Sequence, residues 1–238
     1  MKSFFLTDTG KVRDHNEDSV IILKNSNNEY LLAVADGMGG HKAGEVASNM
    51  AIEHITNKFN SLESLGDKDK AINWIREEVA AINKSIFAYT DAHEESKGMG
   101  TTFVIALYTK DYLLFGNVGD SSGFVIKNSK LYKVTKDHTL VNLLVSSGEL
   151  TPEEAKNHPK KNILMRALGA NNPAEVDIFD VVDDGIEGIL LSSDGLTSML
   201  NETQIEKVTR LIRKSNVRGG TDNISIACLM YNDEEGEL

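Results

Sequence analysis

The chain has 238 residues, of which 40% are hydrophobic, and it carries a formal net charge of -11. This length suits one large core, so residues 1–238 are expected to form a single domain. The negative charge opposes binding to nucleic acid, and no Lys/Arg run offsets it. No apolar stretch reaches the roughly 20 residues of a membrane span, and the N-terminus lacks a signal-peptide core. The sequence therefore predicts a cytoplasmic protein without membrane insertion.

Apolar runs and helical periodicity locate the elements in chain order. Two amphipathic helices are predicted at about 43–60 and 70–95. Strands are predicted at 20–23, 30–35, 102–107, 112–118, 124–126, 189–191 and 224–230.

The pattern of these elements favours an α+β fold. Strands 102–107 and 112–118 are apolar on both faces, so they are expected to be central, and the short turn between them predicts a hairpin. Locally paired strands with helices inserted as blocks argue against alternating βαβ units. Segment 136–170 is predicted to be a helical flap with a capped helix starting at Thr151, and the acidic tail 232–238 is expected to be frayed.

A buried strand ends in Asp36-Gly37 and runs into a glycine-rich turn before a helix. An isolated Asp-Gly pair is most often only a tight turn. A dinucleotide fingerprint would need Gly or Ala where Lys42 stands, and a P-loop would need a following Gly-Lys-Ser/Thr. The other interpretation makes Asp36 a metal ligand at a strand end, with the Gly37 carbonyl approaching the same cation.

Further carboxylates occupy similar places. Asp120, Asp194 and Asp222 each lie between a turn and an apolar strand. Three independent turns explain this poorly, because uncompensated carboxylates are costly to bury together unless ions are bound. The pattern therefore predicts a shared metal site.

A polar cluster near the N-terminus suggests the substrate. Arg13 lies a few residues before the adjacent carboxylates of Glu17 and Asp18. Alone, this segment could be a solvated loop. When the strand-end aspartates are also considered, Arg13 is interpreted as a residue that binds an oxyanion. Glu17 and Asp18 are interpreted as hard oxygen ligands of a metal ion. These residues predict a phosphate ester as substrate.

A series of motifs extends from Phe5 to Met230, nearly the whole chain. In this order it resembles the metal-dependent Ser/Thr protein phosphatases of the PPM (type 2C) family, in their bacterial form. The motifs are Arg13-x-x-Asn16-Glu17-Asp18, Asp36-Gly-Met-Gly-Gly-His41-x-x-Gly44-Glu45, Gly98-Met-Gly-Thr-Thr102, Gly119-Asp120-Ser121, Asp137-His138, His158-Pro159, Ser193-Asp194-Gly195 and Asp222-Asn223.

The resemblance implies an αββα sandwich, in which helices flank two antiparallel β-sheets and a dinuclear metal site lies at one end of the sheets. It implies hydrolysis of phosphoserine and phosphothreonine in proteins by a metal-bridging water or hydroxide. No phosphoenzyme is needed, so neither Cys228 nor a serine is assigned as nucleophile. The implied partners are phosphorylated proteins, including a Ser/Thr kinase and its substrates, and a monomer is expected.

The resemblance also implies a division of the ligands. Asp36 would bridge two Mn²⁺ or Mg²⁺ ions. Asp194 and Asp222 would hold the first ion, and Glu17 with the Gly37 carbonyl the second.

A third ion would be served by Asp120, with Asp18 nearby, and Arg13 would orient the substrate phosphate. Many eukaryotic relatives have a His directly after Asp-Gly as a proposed general acid, where this chain has Met38. His41 is then the nearest candidate proton donor.

Two departures from the family pattern keep a second function open. Ser122 stands where the family usually has Arg, and the segment 195–221 is shorter than in typical relatives. The alternative is a catalytically weakened phosphoprotein-binding module on the same fold. A metal-dependent nuclease is disfavoured by the negative charge.

Overall fold

The computed structural model describes residues 1–40, 43–128, 130–182, 184–197, 217 and 219–231. Within them, no helix has the length and apolar character needed to cross a membrane. The helices are α1 (Ala43–Asn60), α2 (Lys68–Ala92), α3 (Leu140–Ser146), α4 (Pro152–Lys156) and α5 (Asp194–Thr197), with a 3-10 helix at Glu94–Ser96. The strands are β1 (Lys2–Asp8), β2 (Asp18–Lys24), β3 (Tyr30–Met38), β4 (Gly100–Thr101), β5 (Phe103–Tyr108), β6 (Leu113–Val118), β7 (Ser122–Lys127), β8 (Lys130–Lys133), β9 (Asp177–Val181), β10 (Gly188–Ser192) and β11 (Ile224–Met230).

These strands form two antiparallel sheets. One sheet has the order β2-β3-β5-β6-β9, with β4 pairing with β3, and the other has the order β1-β11-β10-β7-β8. β5 and β6 form the predicted hairpin, in which the Thr109 N–H donates to the Tyr112 carbonyl at 3.0 Å. Both strands are buried along nearly their whole length, which confirms that they are central.

The side chains of β3 show how the layers are held together. Leu31 and Ala33 pack with α1 and α2, whereas Leu32 and Val34 pack between the two sheets, as the period of two along a strand requires. A third cluster, which includes Cys228, covers the outer face of the second sheet. The predicted sandwich of two antiparallel sheets flanked by helices is therefore confirmed, and so is the burial of Cys228.

Some elements differ from the sequence-based expectation. β1 and β9 were not predicted from the sequence. Both are edge strands without a buried side chain, although β1 contains the apolar residues Phe4, Phe5 and Leu6. α2 begins at Lys68, because Asp67 caps it by accepting the Lys70 N–H at 2.9 Å.

Segment 136–170 contains only two short helices among irregular chain. The capped start at Thr151 is confirmed by reciprocal hydrogen bonds with Glu154. The two ends of the segment lie together, since Thr139 and Leu164 form an antiparallel bridge. Its role as a flap stays a prediction, and most of the shortened segment 195–221 and the tail 232–238 lie outside the described residues.

Candidate metal and phosphate site

Two carboxylates face each other at one end of the first sheet. β2 begins at Asp18 and β3 carries Asp36 close to its end, and the register pairs these residues directly. Opposite residues in an antiparallel pair have Cβ atoms about 4.5–5.5 Å apart on the same face, and like charges in these positions destabilise a sheet. The fold therefore places two negative groups where a cation would be stabilising.

Two threonines hold the backbone of Asp36. The Thr102 hydroxyl accepts the Asp36 N–H at 3.0 Å, and the Thr102 N–H donates to the Asp36 carbonyl at 2.9 Å. The Thr101 hydroxyl donates to the same carbonyl at 3.0 Å. Thr102 also shares a 2.7 Å hydrogen bond with the hydroxyl of Ser121, next to Asp120. The Gly98–Thr102 motif thus fixes Asp36 and links it to the turn that carries Asp120.

Close backbone packing brings Glu17 to the Asp36-Gly37 turn. The Gly37 N–H donates to the Glu17 carbonyl at 3.1 Å, and the Ser48 hydroxyl on α1 donates to the same oxygen at 2.6 Å. A Cβ at Gly37 would clash with the carbonyls of Gly44 and Glu17, and one at Gly44 would lie 2.9 Å from the Glu17 carboxyl carbon. Glycine at both positions therefore lets β2, β3 and the start of α1 meet.

Asp194 and Asp222 come together at the ends of β10 and β11. Asp194 follows β10 directly, and Asp222 comes two residues before β11. A Cβ at Gly195 would clash with the Asn223 carbonyl and would lie 3.4 Å from the Asp222 Cβ. The glycine of the Ser193-Asp194-Gly195 motif is thus what allows the two aspartates to approach each other.

Asn223 is a site residue to which the sequence interpretation gave no role. Its side-chain oxygen accepts the Glu17 N–H at 2.9 Å, while its amide group donates to the carbonyls of Thr9 and His15 at 2.9 Å each. It therefore ties the Arg13 loop and Glu17 to Asp222. The Asp222-Asn223 motif was the available signal, but a sequence does not show which distant backbone groups an amide will contact.

Lys133 lies beside the Asp120 turn and was also missed. Its ammonium group contacts the Asp137 carboxylate at 2.7 Å, whereas the Ser122 hydroxyl is 3.5 Å from the same carboxylate. Lys133 and Asp137 both act on the pKa of Asp120, in opposite directions. Lys133 therefore supplies positive charge in the region where Ser122 replaces the usual Arg.

The aspartates act on one another electrostatically. Burial, followed by the charges of Asp18 and Asp194, raises the pKa of Asp36 well above its ordinary value. Burial also raises the pKa of Asp18 and of Asp120 to about 7, and that of Asp194 to about 6, with neighbouring aspartates adding to each shift. Burial likewise raises the pKa of Glu17. We call Asp18, Asp36, Asp120, Asp194 and Asp222 the acidic cluster.

Two carboxylate oxygens of this cluster, Oδ1 of Asp18 and Oδ1 of Asp194, are buried and have no hydrogen-bond partner among the residues that the structure describes. The other oxygen of Asp18 accepts from the Ser193 hydroxyl at 2.8 Å. Buried oxygens that no donor reaches, on carboxylates that repel each other, suit a hard divalent cation. In the described ranges no three His, Cys, Asp or Glu side chains form a ready-made ligand group.

Arg13 lies at the edge of the acidic cluster. Its guanidinium donates to Asp222 at 2.9 Å and its side chain is half exposed. It also contributes to the electrostatics of Asp194, whose pKa it lowers against the larger effect of burial. The predicted proton donor His41 lies outside the described residues.

Comparisons with known proteins identify the family of this chain. The family profile described as Protein phosphatase 2C matches residues 10–225. The serine/threonine phosphatase stp of Listeria welshimeri is 40% identical over 98% of this chain and 96% of its own length. The protein phosphatase PhpP of Streptococcus pneumoniae is 32% identical over the full length of both chains.

Solved structures extend the likeness to the fold. The serine/threonine phosphatase Stp1 from Staphylococcus aureus superimposes with a TM-score of 0.90 at 35% identity, over 97% of this chain and 95% of that one. The serine/threonine phosphatase PstP/Ppp of Mycobacterium tuberculosis gives a TM-score of 0.82 at 35% identity, over 97% and 99%. The resemblance carried by the motifs is confirmed, and the chain belongs to the protein phosphatase 2C family.

Proposed function

We propose that this chain is a protein-serine/threonine phosphatase that uses Mn²⁺ or Mg²⁺ held by the acidic cluster. Membership of the protein phosphatase 2C family, and relatives that are themselves named serine/threonine phosphatases, support the reaction class. One structural observation carries the proposal. Carboxylates from separate strand ends face one another, and within the described residues two of their buried oxygens, on Asp18 and Asp194, have no hydrogen-bond donor.

We assign the ligands as follows. Asp36 would contribute to holding both ions, because it interacts with every other aspartate of the acidic cluster. Asp194 and Asp222 would hold one ion, which is supported by their approach across Gly195. Glu17 and the Gly37 carbonyl would hold the other, which is supported by the close packing of β2 on the Asp36-Gly37 turn.

Asp120 serves a third ion, with Asp18 nearby. The electrostatic effects of Asp194 on Asp120 and of Asp18 on Asp36 support their placement in one cluster. Asp137 also faces this region, but Lys133 already compensates its charge.

The chemistry divides between the cations and the protein. When bound, a pair of divalent ions makes water nucleophilic near neutral pH and offsets negative charge on the phosphoryl oxygens. Arg13 orients the substrate phosphate, since its guanidinium is half exposed beside Asp222 and can offer two parallel donors. The carboxylates hold their positions through Thr102, Ser193 and Asn223, so little rearrangement is needed on binding.

Protein nucleophiles are poorly placed for a phosphoenzyme. Cys228 lies within β11, and burial raises the pKa of its thiol to about 12, so it carries almost no thiolate at neutral pH. The Ser193 hydroxyl is engaged between Asp18 and the Ser225 N–H, at 2.8 and 2.9 Å. Direct attack by water is therefore the mechanism that the site favours.

Phosphoproteins are the proposed substrates, among them a bacterial Ser/Thr kinase and its targets, because the similar phosphatases come from bacteria. The net charge of -11 opposes self-association and contact with nucleic acid, which supports a monomer. A single buried cysteine suits the reducing cytoplasm. Within the described residues, no observation favours the alternative of a weakened binding module.

The function can be tested on a phosphothreonine peptide with Mn²⁺, using wild type and Asp194→Asn in parallel. We expect Mn²⁺-dependent phosphate release by wild type, inhibition by EDTA, and loss of turnover in the variant. Asp91→Asn, on the exposed surface of α2, is the matched control, because it removes one negative charge away from the site.

Three results would contradict the proposal. Turnover that EDTA does not change would remove the metal requirement, and turnover retained by Asp194→Asn would remove the ligand assignment. Tight peptide binding by wild type without phosphate release would establish the binding module instead.

A further inference from the structure

The turn that carries Asp120 depends on hydrogen bonds from other parts of the chain. Gly119 has φ +108°, a conformation that L residues with a side chain rarely adopt, and a Cβ there would lie 2.7 Å from the Thr102 side chain. β6 ends at Val118, and β7 resumes only at Ser122. The position of the Asp120 carboxylate therefore depends on how the polar backbone groups of Gly119 are held.

His138 binds both of those groups. The Gly119 N–H donates to His138 Nδ1 at 3.1 Å, and the His138 backbone N–H donates to the Gly119 carbonyl at 2.9 Å. The buried side chain of Asn117 adds a 3.1 Å hydrogen bond to the same carbonyl and a 3.0 Å hydrogen bond to the Lys136 carbonyl. The turn is thus tied to residues 136–138.

The far side of the His138 ring contacts Asp177. Nε2 lies 3.1 Å from Asp177 Oδ2, and Asp177 Oδ1 accepts from Arg166 at 2.8 Å. Because Nδ1 accepts the Gly119 N–H, a neutral ring carries its proton on Nε2 and donates it to Asp177. Asp177 is paired with Asn117 across β6 and β9, so the ring spans two points of one rigid sheet.

The ring is well shielded, since its side chain is only 8% exposed. His138 also lies where the ends of segment 136–170 meet, because its carbonyl accepts the Met165 N–H at 2.7 Å. His138 therefore joins the Asp120 turn and the sheet through its ring, and the base of this segment through its backbone carbonyl.

We propose that His138 is a positioning residue for the phosphatase site: it accepts the Gly119 N–H at Nδ1, donates from Nε2 to Asp177, and so fixes the turn that presents Asp120. The inference rests on the proposed function, in which Asp120 serves the third ion. His138 itself contacts neither substrate nor cation.

Two substitutions separate the two ring contacts. In His138→Asn, the side-chain oxygen replaces Nδ1 as acceptor for Gly119, but the contact to Asp177 is lost. In His138→Gln, the longer amide can still donate to Asp177, but Gly119 loses its acceptor. We expect His138→Asn to retain most activity. We expect His138→Gln to lower kcat by about 10–100-fold, as outer-shell partners of metal sites typically do, with little change in KM.

Metal binding supplies a readout that is independent of turnover. Calorimetric titration with Mn²⁺ alone should show one binding step weakened by about 10–100-fold in His138→Gln, with the remaining steps as in wild type. Equal binding in both variants, or activity losses that follow only their melting temperatures, would overturn the inference.

A measurement on wild type keeps the test decisive if a variant does not fold. Nitrogen-15 NMR of labelled histidine rings should show a neutral His138 with its proton on Nε2, and a proton on Nδ1 would overturn the inference. The proposed function fails separately, if wild type neither binds Mn²⁺ nor releases phosphate. If wild type is active, Asp194→Asn is inactive and His138→Gln behaves as wild type, only the role of His138 is wrong.

Discussion

The carboxylate of Asp177 and those of the acidic cluster have opposite electrostatic surroundings. Asp177 contacts His138 and Arg166, and their hydrogen bonds lower its pKa although burial acts to raise it. Asp36 has other aspartates as neighbours, and burial together with their charges raises its pKa well above the ordinary value. Asp177 is thus paired with a cation and a histidine, whereas in the acidic cluster burial and mutual repulsion outweigh the charges of Arg13 and Lys133. This difference supports the proposed cation site in the acidic cluster.

The largest effect is expected when single carboxylates of the acidic cluster are neutralised. Asp36→Asn and Asp194→Asn should each lower kcat by more than about 100-fold, because loss of a ligand should exceed the 10–100-fold effect of outer-shell partners. Removal of a mutually repelling charge should at the same time stabilise the metal-free fold, so the melting temperature without Mn²⁺ should rise.

Phosphatase assays and thermal unfolding of the same preparations check both effects. Asp91→Asn, which lies away from the acidic cluster, should change neither. A lower melting temperature together with retained turnover would mean that Asp36 and Asp194 are structural residues like Asp177.

Arg13 contacts the acidic cluster directly, through its ion pair with Asp222. If it orients the substrate phosphate, Arg13→Ala should lower kcat/KM by about 10–150-fold, the effect of one to two charge-assisted hydrogen bonds. Mn²⁺ affinity measured without substrate should stay the same or increase, since Asp222 loses a competing partner. A weakened metal site would instead make Arg13 a structural counter-charge.

The raised pKa values in the acidic cluster predict how the stability of the fold depends on pH. In the metal-free protein the pKa values of Asp18 and Asp120 are raised to about 7, so the folded state keeps protons that the unfolded state releases above about pH 4. Stability is therefore lost as the pH rises from about 4 to 7. The melting temperature should be several degrees higher at pH 5 than at pH 8, since 1 kcal/mol shifts it by about 2–4 °C in a domain of this size.

Added Mn²⁺ should reverse this order, because cations and protons compete for the same oxygens. The gain in melting temperature should be large at pH 8 and small at pH 5. Equal stabilisation by Mn²⁺ at both pH values would show that the ions bind elsewhere.

The sequence was informative where a signal is local. The strand that carries Asp36 could be predicted from an apolar run, and β5 and β6 from apolar residues on both of their faces. The edge strands β1 and β9 were not predicted, and neither has a buried side chain.

The sequence proposed a set of site residues but not the contacts among them. The motifs identified Asp18 and Asp36, yet their direct pairing is a matter of register, which depends on how β2 packs. The contact from His138 to Asp177 joins residues 39 apart, and the contact from Asn223 to Glu17 joins residues 206 apart. Such contacts depend on tertiary packing, and a local sequence pattern does not predict them.

The smallest effect is expected at Cys228, which differs from Asp177 and from the acidic cluster in having no charge to compensate. Burial in β11 raises the pKa of its thiol to about 12, so the neutral thiol packs as a small apolar group. Cys228→Ala should leave kcat and KM unchanged and should lower the melting temperature only slightly, and iodoacetamide should not inhibit the folded wild type. Inactivation by iodoacetamide that Cys228→Ala prevents would place a thiol in the reaction, and direct attack by water would then have to be abandoned.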